Sequence, residues 1–266
     1  MIETVADYSR MAVDSFLADP MAWGIVASVF LLAGFVKGVV GMGLPTVAMG
    51  LLAVSMPPSQ AAAILILPSF ITNVWQLIAG PSFIRLLARL WGMMAGVVVG
   101  TIAGSGGLVG NHSGLALSGL GVALALYAIL GLLQVKFHVN PRHESLLSPL
   151  VGLLTGFVTG ATGVFVIPAV PYLQALKLEK EDLIQALGLS FTVSTIALAA
   201  GLWLRADASS SSAMLVGMSL LALVPALFGM IIGQALRLRM SVETFRRLFF
   251  SGLLILGFYL VAEALI

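Results

Sequence analysis

The chain has 266 residues, 60% hydrophobic and 9% charged, and its mean hydropathy of +1.10 leaves too little polar surface for an ordinary water-soluble domain. Its 13 basic and 11 acidic residues are scattered, with no basic block or arm for nucleic acid. The absence of cysteine excludes disulfides, thiolate metal sites and cysteine nucleophiles from this sequence.

Residues 1 to 21 carry Glu3, Asp7, Asp14 and Asp19 against Arg10, the wrong charge for a cleavable signal, so the first apolar run is expected to be structural. A membrane-crossing helix needs roughly 20 mostly apolar residues. Runs of that order lie at 22 to 43, 60 to 80, 86 to 108, 114 to 133, 146 to 163, 183 to 204, 213 to 236 and 248 to 265, with shorter runs at 44 to 56 and 166 to 176. Continuous stretches such as Ala61-Ala62-Ala63-Ile64-Leu65-Ile66-Leu67 lack the alternation of a β-barrel strand. The expected fold is therefore all-α, a polytopic transmembrane bundle whose 29 glycines suit close helix packing in lipid.

The bundle reads as two copies. Leu31-Leu32-Ala33-Gly34-Phe35-Val36-Lys37-Gly38-Val39-Val40-Gly41 matches Leu153-Leu154-Thr155-Gly156-Phe157-Val158-Thr159-Gly160-Ala161-Thr162-Gly163 at seven of eleven positions. In each half a proline follows (Pro45, Pro168), then a short apolar run, a glutamine (Gln60, Gln185) and a span containing Ser-Phe. The expected division is a first repeat at 1–133, a polar linker at 134–145 and a second repeat at 146–266.

If each Gly-Pro region crossed the membrane as one broken helix, the loop basic residues would split six against six. Arg10, Arg85, Arg89, Lys136, Arg142 and Arg205 would face Lys177, Lys180, Arg237, Arg239, Arg246 and Arg247. If each region instead reverses, only Arg10 and Arg205 lie opposite the others, and the positive-inside rule gives an orientation. The reversing reading predicts inverted repeats, each with a re-entrant Gly/Pro helix pair, termini outside and the linker in the cytoplasm. The two turns would then meet near the midplane. The single-crossing alternative stays open.

Broken helices are tolerated in membranes only where the break is buried in protein or lines a cavity. Gly38, Gly41 and Gly43 precede Pro45 and Thr46, and Gly160, Thr162 and Gly163 precede Pro168; a half-helix beginning at either proline would aim its N–H groups and positive dipole end at an anion. Lys37 is a basic residue inside a predicted span and could add charge to that site, with Thr159 its hydroxyl-bearing counterpart; a snorkelling lysine is the alternative. Ser69, Thr72, Asn73 and Gln76 share one helical face, and Ser190 and Ser194 lie in the matching span. These groups could replace part of an oxyanion's hydration shell, or simply bond between helices. Gly34, Gly38, Gly152, Gly156 and Gly160 also suit plain packing faces.

Every Asp and Glu falls in a loop or near a terminus, so no buried acid relay is expected. His112, His138 and His143 are expected in loops without a metal-ligand pattern, and no nucleophile elbow is present. No enzyme activity, cofactor or metal is expected.

The blocks Gly34-Phe35-Val36-Lys37-Gly38-Val39-Val40-Gly41-Met42-Gly43-Leu44-Pro45, Pro68-Ser69-Phe70-Ile71-Thr72-Asn73-Val74-Trp75-Gln76 and Gly156-Phe157-Val158-Thr159-Gly160-Ala161-Thr162-Gly163 resemble the TauE/SafE family of bacterial sulfite and organosulfonate exporters over nearly the whole chain. The resemblance implies a multi-pass inner-membrane transporter for a small anion such as sulfite or a sulfoacetate-like sulfonate. Val164 and Phe165 replace the Met42-Gly43 pair in the second copy, so that half is expected to contribute less backbone and more hydroxyl. An anion channel, an uptake permease, or a membrane anchor or sensor subunit are the alternatives. The expected partners are the anion, membrane lipid and, in one arrangement, a second copy of the chain.

Overall fold

The computed structural model describes residues 20–109, 113–135, 137–205, 212–237, 239 and 241–265. Arg10, His112, Lys136 and the N-terminal acidic segment lie outside the described residues. The helices are α1 (Pro20–Val40), α2 (Leu44–Leu52), α3 (Pro58–Ile78), α4 (Phe83–Gly104), α5 (Gly106–Val109), α6 (Ser113–Leu133), α7 (Glu144–Thr162), α8 (Ala169–Ala175), α9 (Lys180–Trp203), α10 (Ser212–Leu236) and α11 (Val242–Ala264), with a 3-10 turn at Pro141–His143. No strand occurs among the described residues, and eight of the helices are long and apolar enough to cross a membrane. The short apolar runs form α2 and α8, of nine and seven residues.

Local chemistry sets the helix ends. Prolines lie in the first turns of α2 and α3, where the first N–H groups have no intrahelical partner to lose. Gly41 and Gly43 take φ of 85° and 104° between α1 and α2, a left-handed backbone that glycine adopts without a Cβ penalty. Ser241 caps α11 by accepting from Thr244 N.

In lipid, helices associate through close packing rather than a hydrophobic drive, and glycines supply it here. A Cβ on Gly34 would stand 2.1 Å from Ala226 O, and one on Gly38 2.3 Å from Met230 O, so α1 and α10 run parallel in backbone contact. Gly96, Gly100 and Gly104 follow Pro149, Leu153 and Phe157 in the same way, making α4 and α7 parallel. Gly121 lies against Gly257 and Gly131 against Phe250, so α6 and α11 are antiparallel. Packing glycines thus account for Gly34, Gly38, Gly152, Gly156 and Gly160.

The pairs come in matched sets: α4 with α7 and α1 with α10, α4 with α9 and α3 with α10, then α3 with α9 and α6 with α11. Ser219 Oγ donates to Ile64 O at 2.7 Å near the start of α3 and α10, while Gln76 and Gln234 share a cavity wall near their ends, so these two helices also run parallel. Because α1 and α3 are both parallel to α10, the chain turns back between them, and α2 is the return limb.

Tracing these directions puts Arg85, Arg89, Arg142, Lys177, Lys180, Arg237, Arg239, Arg246 and Arg247 at one end of the bundle and Arg205 and Glu263 at the other. At the basic end, Gln185 of α9 clasps the α3–α4 turn: its Nε2 donates to Leu77 O and Gly80 O at 2.8 and 2.7 Å, and its Oε1 accepts from Ser82 N at 2.8 Å. Arg89 adds a two-pronged pair to Glu144 at 2.6 and 2.8 Å, and Arg85 pairs with Asp182.

The two breaks do not meet. Tyr127 OH donates to Met42 Sδ at 3.4 Å, whereas Thr162 lies against Gly119, eight residues earlier on α6, a rise of about 12 Å. They sit on either side of the middle of α6. The physical reason is apolar filling: Met49 of α2 packs where a Cβ on Gly163 would stand, and Val164, Phe165 and Val166 are fully buried.

Candidate functional site

The site begins at Pro68. A proline within α3 removes an N–H and frees the carbonyl four residues back, and that carbonyl, Ile64 O, is taken by Ser219 of α10. One turn on, Thr72 Oγ1 donates to Pro68 O at 2.7 Å. The face carrying Ser69, Thr72, Asn73 and Gln76 is buried, turned into the bundle by contacts with α9 and α10.

Lys37 reaches this face from α1 and is 3% exposed. Its Nζ donates to Asn73 Oδ1 and, at 3.1 Å, to Thr72 Oγ1. No carboxylate pairs with it among the described residues. A buried cation held only by neutral dipoles carries a large desolvation cost, which makes Lys37 a candidate pathway or ligand residue.

Below Lys37 lies a cavity of about 240 Å³ lined by Lys37, Gly38, Gly41, Thr72, Trp75, Gln76, Ala79, Ile184, Met230, Gln234 and Arg237. Gln76 Nε2 donates to Ile184 O at 2.8 Å. Asn73 Nδ2, Gln76 Oε1 and the hydroxyls of Thr46, Ser69, Ser190 and Ser194 are buried and without a hydrogen-bond partner. Each such group costs about 1–3 kcal/mol if it stays unpaired.

The structure divides the expected residues. Lys37, Gly38, Gly41, Thr72 and Gln76 share the cavity wall, and Asn73 joins them through Lys37. Ser69 lies one turn away on the same face. The antiparallel register of α3 and α9, with Gln76 beside Ile184 and Gly188 against Leu77, sets Ser190 and Ser194 level with the Asn73 and Ser69 turns. Gly43 faces Val36 and Phe249, away from the cavity, at the start of α2 with buried Pro45 and Thr46.

Thr159, Thr162 and Gly163 belong to the other break. Thr159 Oγ1 donates to Thr155 O and Val164 O at 2.8 and 3.2 Å, and Thr162 Oγ1 donates to Val158 O at 2.7 Å. Both hydroxyl protons are therefore taken up by the backbone around the break. Sequence reasoning passed over Trp75, Ile184, Met230, Gln234 and Arg237. A signal was present: Gln234 is a lone amide at the end of an apolar run, and Met230, Gln234 and Arg237 recur at helical spacing.

An all-α bundle with eight membrane-length helices, a re-entrant limb and a buried lysine beside a polar cleft is the architecture of a polytopic membrane transport protein. The family model described as "Sulfite exporter TauE/SafE" matches residues 26–260, and the chain belongs to that family of transmembrane transporters. A search of the curated proteins and a search of the solved structures each found no match.

Proposed function

We propose that the protein exports a small anion, sulfite or an organosulfonate, across a bacterial inner membrane, binding it at Lys37, Asn73 and the neighbouring hydroxyls. The observation that carries this reading is Lys37 itself: a buried lysine with no carboxylate partner among the described residues, at the inner end of a cavity. Family membership supports the substrate class. No covalent step is required of the protein.

In this reading residues 1–133 and 146–266 are inverted copies joined by the linker 134–145. The matched packing pairs and the antiparallel courses of α3 against α9 and α6 against α11 support it. The basic end is cytoplasmic by the positive-inside rule, which leaves both termini periplasmic. An anion leaving a negative interior gains about 2.3 kcal/mol per charge per 100 mV, so export needs no acid relay. The test is uptake by proteoliposomes of a panel of sulfite, sulfoacetate, taurine and simple carboxylates. Voltage-dependent transport of sulfite or a sulfonate is expected; transport of carboxylates alone, or of nothing, would reject the assignment.

A further inference from the structure

Of the cavities at the basic end, two hold more than one arginine or lysine side chain, and they differ in how those cations are compensated. The larger, of about 560 Å³, lies between the α3–α4 and α8–α9 turns, where Arg85 is paired with Asp182, Arg89 with Glu144, and Glu179 and Glu181 add further acid. Its charges are matched within the protein. The Lys37 cavity contains Lys37 and Arg237 and no carboxylate.

Arg237 is half-buried, and its guanidinium makes no hydrogen bond or ion pair among the described residues. It follows the last residue of α10, where an arginine commonly bonds terminal carbonyls. No such bond is present; only its backbone N–H is engaged, with Gly233 O at 3.0 Å. Since α1 and α10 run parallel with Gly38 against Met230, Arg237 lies seven residues further toward the basic end, about 10 Å of helix rise. Lys37 is thus the inner cation of this cavity and Arg237 the outer one.

We infer that Arg237 is the anion-capture residue at the mouth of the Lys37 cavity, the first of two cationic stations met by a substrate approaching from the basic end. The inference rests on reading that cavity as the anion site. A guanidinium at the mouth can attract an oxyanion by its charge while staying partly hydrated. Two uncompensated cations in one cleft focus the field and raise the local anion concentration. Lys37, buried and bonded to Asn73, then receives an anion already drawn out of bulk water.

The test is the kinetics of sulfite transport in proteoliposomes with sulfite supplied at the basic end, comparing wild type, Arg237→Gln, Arg237→Lys and Lys37→Met. At low salt Arg237→Gln is expected to raise KM about tenfold while Vmax stays near the wild-type value. The gap should close at about 1 M salt, where the Debye length is about 3 Å, and Arg237→Lys should retain most of the wild-type KM. A wild-type KM for Arg237→Gln at low salt, a rise that persists at high salt, or an equal rise in Arg237→Lys overturns the assignment. If wild-type protein moves no sulfite, or Lys37→Met moves it as well as wild type does, the anion-site reading itself fails and takes Arg237 with it.

Discussion

Lys37 Nζ on α1 donates to Asn73 Oδ1 on α3, joining the helix before the break to the proline-kinked helix that follows the return limb. Thr72 accepts from the same ammonium and donates onward to Pro68 O. The cation is thereby positioned by amide and hydroxyl dipoles that leave its charge unneutralised, the condition an anion site needs.

Changing that pair should separate charge from fold. Lys37→Met removes the charge and is expected to lower anion affinity by about ten- to a hundred-fold, since hydrogen bonds to charged groups contribute about 1.5–3 kcal/mol. Asn73→Asp supplies a carboxylate where the amide stands and should occupy Lys37 as an internal counter-ion, leaving folded protein that transports poorly. Size-exclusion chromatography with proteoliposome uptake checks both; an active Asn73→Asp protein would count against Lys37 as the anion's partner.

Glycines around the first break should rank by what their missing Cβ would meet. Gly41→Ala adds strain alone, about 1–2 kcal/mol for a left-handed backbone, because nothing lies within 4 Å. Gly43→Ala adds contacts of 3.3 and 3.4 Å to Val36 and Phe249. Gly38→Ala would thrust a methyl to 2.3 Å from Met230 O and part α1 from α10. Thermal unfolding in detergent should order them Gly41→Ala least and Gly38→Ala most destabilised.

The Gln185 clasp should matter more to stability than the charged pair near it. Gln185→Ala leaves Leu77 O, Gly80 O and Ser82 N without their partner, at a cost of about 1–3 kcal/mol. Arg89→Ala removes a pair whose arginine side chain is 40% exposed, which is expected to cost about 1 kcal/mol or less. Equal losses on denaturation would refute the comparison.

Orientation is open to direct labelling, since the chain has no cysteine to remove. Single cysteines replacing Arg89 and Arg239 should react with an impermeant reagent only from the cytoplasm, and one replacing Arg205 only from the periplasm. Labelling of Arg89 and Arg205 positions from the same side would overturn the course traced for α4 and α9.

The apolar runs foretold the helices closely, because in lipid a backbone must satisfy its own hydrogen bonds and a run of sufficient length has little choice but helix. The run at 44 to 56 became α2, and the Gly-Pro motif before it became the turn. The polar face of α3 was legible from the three- and four-residue spacing of Ser69, Thr72, Asn73 and Gln76. Lys37 stood out as a charge among apolar neighbours.

What the amino-acid order determined by itself was the class of protein, the approximate course of its long helices and a short set of polar groups, all consequences of local hydrophobicity and backbone chemistry. Only the tertiary structure decided which groups share a space. It set Thr159 and Gly163 apart from Lys37, with Met49 of α2 packed against Gly163, and brought Gln234 and Arg237 from a distant helix to the Lys37 cavity. Those outcomes depend on how α1 nests on α10 through Gly34 and Gly38, and helical spacing within a segment marks a packing or polar face without naming the distant helix that meets it.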